Sequence, residues 1–127
     1  MSILLTTKRW AANVLKTDST IAALCGDRVY PFVANFGKDP GTSICFRGVG
    51  LSSVATKDGA MPGTVSLEVS VNSTKSAQVS TIADAVADAL ERAEGADALL
   101  VGYHEQYYVD INSYEGVLTF RIEPDDA

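Results

Sequence analysis

Thr64-Val65-Ser66-Leu67-Glu68-Val69-Ser70-Val71-Asn72 is the stretch that decides the fold class. Val65, Leu67, Val69 and Val71 alternate with small or charged residues. Successive side chains on a strand point to opposite faces, so this period of two means one buried face and one wet face. The period then changes. From about Thr74 to Glu94, Val79, Ile82, Ala83, Val86, Leu90 and Ala93 line one side of an amphipathic helix, and Gly95 supplies its stop. Asp84, Asp88 and Glu91 mark the solvent side, with Asp88 spaced to pair with Arg92 four residues on.

Beyond the helix the spacing predicts a hairpin. Tyr107, Val109 and Ile111 alternate on the first arm, Asn112-Ser113-Tyr114-Glu115-Gly116 turns the chain, and Leu118, Phe120 and Ile122 alternate on the second. Pro124-Asp125-Asp126-Ala127 ends it as an acidic tail. Toward the N-terminus, Ile3, Leu4, Trp10, Ala11, Val14 and Leu15 form the apolar stripe of a helix over about residues 3–16. Asp18 is placed to cap a second, short helix through Ile21, Ala22 and Leu24 that stops at Gly26. Asp27 to Val33 is β-like but contains Pro31, which predicts a short or edge strand. Ser43 to Val49 reads as a buried strand, and residues 50–63 as a long loop ending in the turn signal Pro62-Gly63. Helices, strands, helix, strands is the order of an α+β fold: an antiparallel or mixed sheet with helices packed against it, residues 1–127 forming one domain.

Composition excludes several classes. Hydrophobic residues at 46% and charged residues at 20% are ordinary globular values. A chain of 127 residues buries roughly two thirds of its unfolded surface, enough for a core. The opening residues put apolar before basic side chains, the reverse of a secretory leader, so none is expected. No apolar run approaches the roughly 18 residues of a membrane span. Cys25 and Cys45 lack metal-site spacing and are expected as buried, reduced thiols. Residues 1–63 carry seven Lys/Arg against four Asp/Glu, net +3, and residues 64–127 carry three against twelve, net −9. An acidic chain works against nucleic-acid binding, which relies on neutralising phosphates. The asymmetry reads either as a solvated acidic face or as opposite-sign surfaces that meet between subunits.

No reactive constellation emerges. His104 is the single histidine, and His104-Glu105 fails as a HExxH start because tyrosines stand at 107 and 108. Gly37-Lys38 lacks the rest of a P-loop, and Gly48-Val49-Gly50 lacks a third glycine at 53. Either cysteine could pair with His104 as a dyad, but apolar neighbours explain both as packing. Tyr103, Tyr107, Tyr108 and Tyr114 could stack bases, yet Glu105, Asp110 and Glu115 are interleaved, so a sheet or protein-interface role fits better. No cofactor or metal site is expected.

The run Ile21-Ala-Ala-Leu-Cys-Gly-Asp-Arg-Val-Tyr-Pro31 and the closing Gly116-Val-Leu-Thr-Phe-Arg-Ile122 resemble the tail-completion or tail-terminator proteins of long-tailed bacteriophages and prophages, the group similar to the lambda tail terminator. The resemblance extends over nearly the whole chain. Ser70-Val71-Asn72-Ser73 is plainer than the aromatic or acidic residue often found there in that family. The resemblance implies a non-catalytic virion protein with an antiparallel sheet and packed helices, made in the host cytoplasm. It implies a ring, commonly a hexamer, that caps the tail tube, ends its polymerisation and meets the head connector. The partners implied are further copies of the chain, the tail tube protein and a head-completion or connector protein, with DNA only passing through the channel and no membrane. Within that reading Val54, Lys57, Asp58 and Met61 of the 50–63 loop are the expected axial contact residues. The alternatives are a head–tail connector (neck) subunit and, outside a virion, a small-molecule-binding α+β module.

Overall fold

The computed structural model describes residues 3–26, 28–30, 42–52, 55–56, 59–60 and 64–124. Along the chain these form α1 (Ile3–Thr17), α2 (Ser19–Cys25), β1 (Val29–Tyr30), β2 (Ser43–Ser52), β3 (Ala55–Thr56), β4 (Gly59–Ala60), β5 (Thr64–Ser73), α3 (Ser76–Arg92), β6 (Ala96–Tyr108), a 3-10 turn (Val109–Ile111) and β7 (Ser113–Pro124). The main sheet has the order β1-β2-β5-β7-β6, while β3 and β4 pair as a small separate ribbon. β1 runs parallel to β2 and every other neighbouring pair is antiparallel, so the sheet is mixed and the fold is α+β.

β5 is the middle strand, which explains why its alternation is the cleanest in the sequence. Val65, Leu67, Val69 and Val71 are fully buried on one face. On β7, Ile122, Phe120 and Leu118 stand opposite the first three. Over this face lie Val79, Ile82, Val86 and Leu90 of α3, with Ala11 and Leu15 of α1 in the same core. Each such side chain contributes about 1.5–3 kcal/mol by leaving water. Between β5 and β6 the chain crosses over through α3, and β7 returns to fill the gap between those two strands.

The N-terminal helices are fastened by specific polar contacts. Asp18 Oδ1 accepts from the Ile21 N–H at 3.0 Å, capping α2, and Gly26 ends it at φ 62°, where a side chain would be strained. Arg28 donates from Nε to the Thr42 carbonyl (2.6 Å) and from Nη2 to Thr42 Oγ1 (3.0 Å), while Thr42 Oγ1 donates to the Leu24 carbonyl. The end of α2 and the start of β2 are therefore tied together, which holds β1 in parallel register. Burial pushes the Cys25 thiol up, and Thr42 and Arg28 only partly offset this. Trp10 Nε1 donates to the Glu94 carbonyl at 2.7 Å, fixing α1 against the end of α3.

The strand ends differ from the sequence-based expectation. β6 begins at Ala96, well before Tyr107, and Val109 and Ile111 belong to the turn that follows it. The turn ends at Asn112 in the left-handed region (φ 48°), so Ser113 to Gly116 are already strand. A register shift between Leu100 and Gly102 and exposure on both faces erase the alternation that would have announced β6. Likewise β2 runs on to Ser52, into the stretch expected to be loop, and stays paired with β5 as far as Thr64.

Gly116 is the closest approach of sheet and helix. A Cβ there would sit 2.7 Å from Val79 Cγ1 and 2.6 Å from the Tyr103 hydroxyl. Gly116→Ala should therefore cost about 1–3 kcal/mol through overpacking, measured as a lower urea midpoint with an unchanged slope.

Candidate interaction surface

The sheet face turned away from the helices carries a polar network centred on Glu115 of β7. Its carboxylate accepts from Ser70 Oγ of β5 (2.6 Å), and from Gln106 Nε2 (3.0 Å) and the Tyr108 hydroxyl (2.8 Å), both of β6. Arg47 Nη1 of β2 lies 3.4 Å away. Asn72 Nδ2 donates to Ser70 Oγ at 3.1 Å and lies 3.9 Å from Cys45 Sγ. Four strands are thereby laced together by side chains across one face. The Glu115 side chain is only 11% exposed, whereas Arg47 is 45% exposed. Burial pushes the Glu115 carboxyl up, but the hydrogen bonds from Ser70, Tyr108 and Gln106 and the Arg47 charge outweigh it and hold it below the usual range. The Tyr108 hydroxyl is raised in turn, chiefly by donating to Glu115.

Next to this network the sheet ends in an apolar edge. Among the described residues no strand pairs with the outer side of β6, although it is thirteen residues long. Leu99, Val101, Tyr103, Tyr107 and Tyr108 are all exposed along it, and the turn adds Val109 at 78% and Ile111 at 51%. A long apolar edge strand is a template for pairing with another chain unless something covers it. The tyrosines are held in place from within the hairpin. Tyr107 packs against Tyr114 with ring centroids 4.7 Å apart and planes tilted by 46°, and its hydroxyl donates to Asn112 Oδ1. Tyr103 lies over Gly116, and burial together with Glu105 pushes its hydroxyl up to about 12.

Val54, Lys57, Asp58 and Met61 lie outside the described residues; of their stretch, the described residues form the β3–β4 ribbon. Cys25 and Cys45 are both buried free thiols, and His104 is exposed on β6. Asp84, Asp88 and Glu91 stand on the wet side of α3, where Asp88 pairs with Arg92 at 2.9 Å. Glu115 is the residue that sequence reasoning missed. The stretch 112–116 reads as a turn from sequence, and nothing in its spacing marks the role of Glu115. A hollow of about 210 Å³ near the start of β6 is lined by Asp97, Ala98, Leu99, Arg121 and Glu123. Its size and charge are not those of the apolar cleft that a small-molecule module needs.

A sheet fully packed on one side, laced by polar contacts on the other and open along an apolar edge defines a protein built for contact with other proteins. Residues 12–122 match the family described as Tail completion protein gp17, and the chain belongs to it. It is thus a structural protein of a phage-type tail and not an enzyme. A chain of the solved structure "Virion of native gene transfer agent (GTA) particle" is similar to it with a TM-score of 0.79 and 20% identity, over 99% of this chain and 100% of that one. At that identity the likeness establishes the fold. No curated protein matches the chain in sequence.

The Glu115 network yields a pH prediction. Because the folded carboxyl is held below its unfolded value, its contribution to stability is complete above the unfolded value and is lost as pH falls through the folded one. Glu115→Gln should cost about 1–3 kcal/mol at pH 7, since three donors lose a charged acceptor. The difference in urea stability between the two proteins should shrink below the ordinary carboxylate range. A difference that stays constant to pH 3 would contradict this.

Proposed function

We propose that the chain closes with further copies of itself into a ring, commonly a hexamer in proteins of this kind, on the end of the tail tube. There it ends polymerisation and gives the head connector a surface to join. The observation that carries this reading is the uncovered β6 edge with its exposed Leu99, Val101, Val109 and Ile111, in a chain of the tail-completion family. Tube growth stops when a subunit binds the last tube ring with one face and offers no copy of that face on the other. A head-to-tail contact that closes on itself has this property. The axial contact is assigned to the stretch holding Val54, Lys57, Asp58 and Met61. In sequence it joins β2 to β5, whose register runs unbroken from Gly48 to Ser52 opposite Glu68 to Thr64. The acidic half of the chain suits a channel wall to which passing DNA would not adhere.

Deleting residues 54–61 should leave a folded protein, because the β2–β5 pairing up to Ser52 and Thr64 is kept. Phage or particles carrying the deletion should make tails of uncontrolled length, seen by electron microscopy. Tails of normal length would remove the axial assignment. A neck subunit would instead leave tail length normal and lose head attachment.

A further inference from the structure

Among the described residues the main sheet has a second edge without a neighbouring strand over most of its length, and it complements the first. β1 pairs only with Ile44 and Cys45 of β2. Among the described residues nothing pairs with the outer side of β2 from Phe46 to Ser52. Among the described residues the sheet therefore has two opposite edges with no strand beside them, the outer side of β6 and that of β2 beyond Cys45. Resting on the ring reading above, we infer that the β6 edge of one copy pairs with the free β2 edge of the next, so that the sheet continues from subunit to subunit.

Strand direction supports this pairing. β2 is antiparallel to β5, β5 to β7 and β7 to β6, so β2 and β6 run in opposite senses. A neighbour generated by rotation about an axis along the strands keeps every strand direction. It brings β2 to β6 antiparallel, the more stable ladder geometry. A two-fold contact of β6 on β6 would instead leave both β2 edges open.

Charge supports the same choice. From Ala93 to Phe120 the chain contains no Lys or Arg, but Glu94, Asp97, Glu105 and Asp110 fall within it, besides Glu115, which Arg47 already pairs. Glu91 of α3 also reaches this edge, its Oε2 accepting from the Leu100 N–H at 3.3 Å. The opposite end of the sheet is the side of Arg28, with the exposed Arg9 and Lys16 on the helix packed over β1. Opposite-sign edges favour head-to-tail docking and disfavour pairing of like with like.

The test uses two single variants, Val101→Cys on β6 and Gly50→Cys on β2. Val101 is exposed, and a Cβ at Gly50 would meet only Ser66 Cβ at 3.9 Å, so both should fold. Leu99→Cys serves as a second β6 variant. The native thiols are buried and should stay silent. A short thiol-to-thiol cross-linker is applied to each variant alone and to their mixture, on concentrated protein and on protein recovered in assembled tails. The expected result is a cross-linked dimer in the mixture and none in either variant alone. Cross-linking of Val101→Cys with itself would overturn the head-to-tail edge in favour of a two-fold one. Assembly by sedimentation with no cross-link in any sample would overturn the edge pairing while leaving the ring intact. Failure of the wild-type chain to associate with itself or with tails would overturn the ring reading and this inference with it.

Discussion

The packing of α3 onto the valine–leucine face of β5 and β7 is the interaction on which the rest depends. Val65, Leu67, Val69 and Val71 can leave water only if a helix covers them, and Val79, Ile82, Val86 and Leu90 supply that cover. Once α3 is seated, it carries the crossover from β5 to β6, and β7 lies between those two strands. Gly116 is the point where this geometry is tightest. The closing Gly-Val-Leu-x-Phe-Arg-Ile run is thus a packing requirement: glycine for the approach of Val79 and Tyr103, then alternate large side chains for the core.

The other family-like run has a similar explanation. In Ile21 to Pro31, Ile21 and Cys25 are buried, Gly26 takes a positive φ, and Arg28 grips Thr42 at the head of β2. What is specific in the sequence holds the sheet in place, and the exposed apolar surface is plainer: an edge of leucine, valine and tyrosine, with an exposed turn. A protein that works by contact rather than reaction needs no poised group, which agrees with the absence of any constellation of catalytic residues in the sequence.

The strongly periodic elements were legible before the structure. The strand 64–72, the helix over 74–94 and the Asp18 cap correspond to β5, α3 and the cap of α2 within a few residues. The edge elements were not. β6 lacks a period because both its faces are partly wet and a bulge at Val101 interrupts its register, so its residues resemble a loop and its hairpin was read too far along the chain. β2 extends past its apolar part because β5 supplies backbone partners, which needs no hydrophobic pattern. Glu115 could not be recognised because its partners come from β2, β5 and β6, and sequence spacing carries no trace of Ser70, Gln106, Tyr108 and Arg47 converging on one carboxylate. The plainness of Ser70 and Asn72 has a physical sense here: both are buried beside that carboxylate, where a bulky residue would displace it.

The central claim is that β6 remains unpaired in the isolated chain and becomes paired when copies assemble. Backbone hydrogen exchange over Leu99 to Tyr108, compared between dilute protein and assembled tails, tests it directly. The amides of this span that no intrachain acceptor holds should exchange quickly in the free chain and become strongly protected in the assembly. Equal exchange in the two states would contradict the account.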